Sequence, residues 1–304
     1  MTSSLLMVFS GVNGSPKLGA LKPGRCPVDH KSRIWRISEG GFSYPPSLIF
    51  MLIQPIKTRI LHPPQDDLLA VIKKVLPRMR ERSVLVITSK VVSIWQGRCI
   101  PKSTFPDKDE LIKKEADFYL PREATPHGWV MHAIKHNIFI PSAGIDESNS
   151  GEYYTLWPSN PKSTAKTLWQ WLRKTYGVRK IGIIISDSHS IPLRRGMIGF
   201  ALAYHGFTPL KEYRGTKDLF GRDMKITQAN FPDALASAAV LAMGEGKESM
   251  PLAVIRDIPA LKFTSHPYKP RRAHSSFEIK TKEDLYYPLL SSVPWKKGGR
   301  GIRL

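Results

Sequence analysis

Three acidic residues stand where carboxylates could meet a polyanionic substrate. Asp146 lies in Pro141-Ser-Ala-Gly-Ile-Asp-Glu-Ser-Asn149, just past an apolar stretch. Asp187 ends the run Ile181-Gly-Ile-Ile-Ile-Ser186 and is followed by Ser188 and His189. Glu245 sits between glycines in Met243-Gly-Glu-Gly246. Hard divalent cations such as Mg²⁺ take oxygen ligands: carboxylates, hydroxyls, waters and substrate phosphates. Asp146, Asp187, Ser188 and Glu245 supply that donor set. Taken singly, each carboxylate is also what a turn or helix cap would use.

Basic and glycine residues follow Asp187. Pro192-Leu-Arg-Arg-Gly196 precedes Tyr213-Arg-Gly-Thr-Lys-Asp-Leu-Phe-Gly-Arg222. Arginine forks match phosphate and carboxylate oxygens, so Arg194, Arg195 and Arg214 are candidate anion clamps. Ile87-Thr-Ser-Lys-Val-Val-Ser93 sets Ser89 and Lys90 just past a strand, within reach of phosphates. His189 is a candidate acid or base. No Walker A pattern, Gly-x-Gly-x-x-Gly or CxxC pair occurs.

Strand ends and helix ends must position these groups. Apolar patterning predicts strands over 51–60, 83–88, 136–141, 180–186 and 252–256. Helices are predicted from Asp66-Asp67 to a stop near Pro77, and over 107–120, 161–176 and 231–243. Pro161 opens the third of these and Gly177 ends it; Gly244 ends the fourth. Interleaved helices and short apolar strands argue for a mixed α/β (α+β) architecture. The tryptophans at 157, 169 and 171 read as packing residues. In α/β sheets ligand sites form beyond the carboxyl ends of strands, where Asp146 and Asp187 fall.

Composition bounds the answer. Of 304 residues, 41% are apolar and 23% charged, which excludes a wholly disordered chain, a collagen or a coiled coil. The apolar runs are too short to span a membrane. Two cysteines, Cys26 and Cys99, cannot build a disulfide framework and fit a reducing, cytoplasmic setting. Net charge is +21, with +4 in residues 1–50 and +7 in 262–304. That excess suits a nucleic acid or phosphorylated ligand, or a solvated surface. No aromatic-interleaved or zinc module supports nucleic acid. The expected organisation is a weakly ordered extension over 1–50, a catalytic module over 51–261 and a basic tail over 262–304. Met51 is itself an alternative start.

The ordered set 141–149, Ile185-Ser-Asp-Ser188, Arg195-Gly196, 213–222, Thr227, Asp233-x-Leu-Ala236 and 243–246 resembles coenzyme F420-0:L-glutamate ligases over about 52–258. The spellings Ser-Asp-Ser-His189 and 124–141 look closer to the branch described as folate-metabolism γ-glutamate ligases. The resemblance implies an F420-0:γ-glutamyl ligase-like fold in an intertwined homodimer. It implies joining of L-glutamate to a small anionic acceptor, folate-type or coenzyme F420-0, at the expense of GTP or ATP through an acyl phosphate. Branch resemblance favours the folate-type acceptor. Mg²⁺ or Mn²⁺ is implied as cofactor, with K⁺ as a further cation. Asp146, Asp187, Ser188 and Glu245 match the metal ligands. Ser89, Lys90, Asn149, Met243, Gly244 and Gly246 match nucleotide contacts, and an apolar contact falls near Ile60–Leu61. Ile94 stands where the family often has a nucleotide-contacting lysine. Arg195, Arg214 and His189 are the candidate catalytic groups.

Overall fold

A computed structural model of the chain describes residues 5–10, 48–266 and 277–301. In chain order the first elements are β1 (Leu5–Ser10), β2 (Leu48–Ile56), α1 (Leu68–Val75), β3 (Ser83–Thr88) and α2 (Ser89–Trp95). Then come β4 (Cys99–Pro101), α3 (Lys108–Glu115), β5 (Phe118–Tyr119), β6 (His132–Lys135), β7 (Ile138–Pro141) and β8 (Tyr153–Thr155). α4 (Pro161–Tyr176), β9 (Ile181–His189), β10 (Ile198–His205), β11 (Leu210–Glu212) and β12 (Gln228–Asn230) follow. α5 (Phe231–Met243), β13 (Leu252–Arg256), α6 (Tyr287–Ser291) and β14 (Lys296–Lys297) complete the set.

The main sheet has the order β1-β2-β13-β3-β9-β10. Its neighbours are antiparallel except β3 and β9, which run parallel from Ser83↔Ile181 to Thr88↔Ser186. Side chains alternate across the sheet. Leu85, Ile87, Ile183 and Ile185 pack with α1, α2 and α4, while Val84, Val86 and Ile184 pack with α5. Both strands are therefore free of polar side chains where they are covered on two faces, over Val84–Ile87 and Ile181–Ile185, and turn polar only toward their ends. Burying each such side chain stabilises the fold by about 1.5–3 kcal/mol.

The helix ends obey local chemistry. Asp67 Oδ1 accepts from Ala70 N at 3.0 Å to open α1, which stops two residues before Pro77. Asn230 accepts from Asp233 N at 3.1 Å to open α5. α4 begins at Pro161 and ends where Gly177 turns left-handed.

Four expectations change. The strand expected over 51–60 starts earlier and stops at Ile56. The helix expected over 107–120 ends at Glu115, because Ala116 turns extended and leads into β5. The strand expected over 136–141 is the second arm of a hairpin, with His136 and Asn137 at positive φ in its turn. The strand expected over 180–186 continues to His189, paired with β10, so Asp187 lies inside the strand. Within the extension expected over 1–50, Leu5–Ser10 pairs with β2; residues 1–4 and 11–47 lie outside the described residues.

A second, smaller sheet has the order β14-β5-β6-β7. It shares a core with α3 through Leu111, Ile112, Met131 and Ala133. Inside it Glu115, 1% exposed, is bonded by Arg98 at 3.1 Å and by Lys135. Sequence reading missed this trio, since no local pattern joins residues 98, 115 and 135. In the segment expected as a basic tail, Gly299 and Gly301 donate backbone N–H groups to the carbonyls of Lys113 and Lys114, near the end of α3, each at 2.9 Å.

Candidate active site

A cavity of about 500 Å³ opens beyond the carboxyl ends of β3 and β9. Four connections line it. Thr58–Leu61 follows β2, Gly144–Asn149 precedes β8, Leu156 and Trp157 follow it, and 243–251 joins α5 to β13. The last is tied to the sheet: Thr58 N donates to Ser249 O at 2.9 Å and Thr88 N to Pro251 O at 3.0 Å.

Asp146, Asp187, Ser188 and Glu245 all line this cavity, with Ser89, Lys90, Asn149, Met243, Gly244 and Gly246. Alternation along β9 sends Asp187 and Ser188 to opposite sides of the strand. Asp187 faces Trp157, whose indole N–H donates to its Oδ2. Ser188 Oγ donates to Glu245 Oε2 at 3.1 Å, past the end of α5. Asn149, at positive φ, donates its side-chain amide to Gly246 O at 3.2 Å and so joins two of the connections.

The two aspartates have opposite electrostatic surroundings. Burial pushes the Asp187 carboxyl up to about 6, and the nearby Asp146 charge adds to that. Burial acts on Asp146 too, but the Lys90 ammonium and the Ser148 hydrogen bonds outweigh it and hold its carboxyl below the ordinary value. Lys90 Nζ lies 2.7 Å from Asp146 Oδ2, while Ser148 N and Oγ donate to Oδ1 at 2.7 and 2.8 Å. Ser148 was not singled out in the sequence.

Gly144 explains part of the 141–149 motif. Its φ is +71°, and a Cβ there would lie 2.1 Å from Trp157 Cε2. Trp157 packs, as expected, and in addition bonds a candidate site residue. Ile60 and Leu61 line the cavity where the apolar contact was expected. Ile94 lines it too and is 2% exposed, belonging to the core.

His189, Arg195 and Arg214 are not among the lining residues. His189 packs edge-on against Phe200 at 4.8 Å, and burial holds its imidazole below the ordinary value. Arg195 lies on the exposed connection between β9 and β10. Arg214 is bonded by Glu212, Nε to Oε1 at 2.7 Å.

Among the described residues, no three His, Cys, Asp or Glu side chains converge on one metal-sized point. The donor set nonetheless fits a hard cation that completes its shell with phosphate oxygens and water. Every donor is oxygen, Ser188 and Glu245 already share a contact, and Asp146 and Asp187 feel each other's charge, although the Lys90 ammonium already holds one Asp146 oxygen.

A family model described as F420-0:Gamma-glutamyl ligase matches residues 55–257. The chain belongs to this family. A coenzyme F420:L-glutamate ligase of Methanocaldococcus jannaschii is 37% identical over 191 residues, 59% of this chain and 76% of the relative. That of Methanopyrus kandleri is 32% identical over 237 residues, covering 72% of this chain and 92% of the relative. One from Methanococcus maripaludis is 31% identical over 194 residues, 60% and 78% respectively. This member of the γ-glutamyl ligase family is accordingly an amide-forming ligase. Among its described residues no helix is long and apolar enough to cross a membrane.

Proposed function

We propose that the chain joins L-glutamate to the carboxylate of a small anionic acceptor at the expense of GTP or ATP. The observation that carries this reading is the lining of one cavity by Asp146, Asp187, Ser188 and Glu245 with Lys90. A free carboxylate is a poor acylating agent because oxide leaves badly. In the proposed first step an acceptor carboxylate oxygen attacks the γ-phosphorus, and the nucleoside diphosphate departs. In the second, the glutamate amine attacks the acyl carbon, phosphate departs and the amine loses a proton.

Both steps load charge onto phosphoryl oxygens, so preorganised positive charge should dominate catalysis. Lys90 and the backbone around Gly244 and Gly246 would hold phosphates, with Ser89 and Asn149 orienting the nucleotide. Asp146, Asp187, Ser188 and Glu245 would hold Mg²⁺ or Mn²⁺, which when bound neutralises phosphate charge. The neutral imidazole favoured by burial suits His189 as acceptor of the amine proton, provided substrate reaches it.

The family, F420-0:γ-glutamyl ligases, makes coenzyme F420-0 the acceptor to test first; a folate-type acceptor is the second arm. A homodimer is part of the reading. Leu219 and Phe220 stand 98% and 89% exposed between β11 and β12, apolar surface that a second copy would cover. Arg195 and Arg214 stand outside a single chain's cavity. Their role as anion clamps therefore requires a neighbouring copy or closure of their segments on the ligand.

Purified protein incubated with glutamate, Mg²⁺ or Mn²⁺, GTP or ATP and each acceptor should yield an acceptor one glutamyl residue heavier, with one phosphate released per bond. Phosphate release that does not depend on acceptor, or no product with either acceptor, would sink the proposal. Sedimentation of the same sample reads the dimer.

A further inference from the structure

Trp157 lines the cavity, and groups from several elements pack around its ring. It is 1% exposed, in the connection between β8 and α4. Arg98 Nε donates to its carbonyl at 3.2 Å. Lys135 Nζ lies 5.8 Å from the ring centroid, and the His136 imidazole stacks at 6.3 Å with 15° between the planes. Phe200 packs at 6.2 Å, and Gly144 leaves room for the ring by having no Cβ.

Arg98 and Lys135 are both anchored on Glu115, and all three side chains are buried. The trio thus sets Lys135 against the ring and Arg98 against the carbonyl of the same residue. The indole N–H is spent on Asp187 Oδ2, while Ser188 N takes Oδ1 at 2.9 Å. With the Ser89 side chain as a further donor, these bonds fix the plane of the carboxylate.

We propose that Trp157 is a positioning residue for Asp187, and that the buried Arg98–Glu115–Lys135 trio of the smaller lobe holds it in place. The smaller lobe thereby sets the geometry of a group on the main sheet. The kinetic arm of the test rests on the ligase reading; the spectroscopic arm does not.

Trp157→Phe keeps a ring in the same space and deletes the N–H. In ¹⁵N-labelled protein it should remove one of the seven tryptophan indole signals, which assigns that signal. Asp187→Ala should then move the assigned signal more than the other six. Trp157→Phe should also lower kcat for ligation roughly 10- to 100-fold, as loss of a supporting hydrogen bond does, and leave the KM for glutamate within a few-fold. If Trp157→Phe does not fold, the signal is assigned in the wild type by triple-resonance methods and Asp187→Ala decides. An indole signal unmoved by Asp187→Ala, or wild-type kcat in Trp157→Phe, overturns the proposal. A wild type that ligates no acceptor sinks the ligase reading alone, and the indole signal still decides the hydrogen bond.

Discussion

The Lys90 ammonium bridges two parts of one turn: it lies 2.7 Å from Asp146 Oδ2 and donates to the Ser148 carbonyl at 2.5 Å. It thus puts positive charge at the cavity wall before any ligand arrives. Lys90→Met should raise the KM for the nucleotide and lower kcat/KM by roughly 100-fold, the scale of losing one charged phosphate contact. The melting temperature should fall only modestly, because the pair is half-buried and water screens it. Steady-state kinetics and calorimetry read both.

Asp187 predicts a trade between stability and activity. Its folded carboxyl titrates near 6, above the ordinary 3.8. The group therefore contributes stability that is complete at acid pH, below its unfolded value, and is lost as pH rises through about 6. Asp187→Asn should abolish ligation yet stabilise the metal-free protein at pH 8, by at most about 3 kcal/mol. The gain should vanish near pH 4. A variant that is less stable than wild type at pH 8 would contradict the sign.

The same titration governs cation uptake. Ligands must be deprotonated to bind, so Mn²⁺ affinity should climb as pH rises through about 6 and then level off. Calorimetric titration with Mn²⁺ between pH 5 and 8 checks this. Asp187→Asn should flatten the profile as well as weaken it.

Glu115 is the hinge of the buried trio. Glu115→Gln leaves Arg98 and Lys135 without their shared counter-charge inside the smaller lobe. Breaking a buried pair in this way costs about 3–5 kcal/mol. For a chain of this size that is a drop in melting temperature on the order of 10 °C. A drop of only a degree or two would mean that water reaches the trio.

Gly144→Ala tests the other support of Trp157. The backbone is left-handed there and the new Cβ would meet the indole. Ligation should fall with little change in the affinity for glutamate, and Trp157 fluorescence should shift.

Much of this architecture can be read from the chain. β3, α4, α5 and β13 carry their own evidence: an unbroken apolar run, or a periodic face closed by Pro161, Asn230, Gly177 and Gly244. Asp146, Asp187, Ser188 and Glu245 could be nominated because each follows or ends such an element. Residues whose partners lie far away could not. β5 and β14 are two residues long and are defined only by pairing, β14 with β5 and β5 also with β6. Ile198–His205 forms a long strand against β9, and its apolar run Ile-Gly-Phe-Ala-Leu-Ala-Tyr is a signal that the expected strands left out. Glu115 has no neighbour in sequence that announces its buried partners Arg98 and Lys135. Trp157 looked like core, because nothing within the segment announces its carboxylate partner.

Asp187 and Ser188 owe their opposite destinations to strand parity and to the parallel pairing that ends with Thr88 opposite Ser186. A single-residue insertion anywhere between Ile181 and Ser186 would exchange those destinations, turning the hydroxyl toward Trp157 and the carboxylate toward Glu245. Two like charges would then face each other past the end of α5. The length of this stretch is thus as constrained as its composition, and tolerated indels should fall outside it.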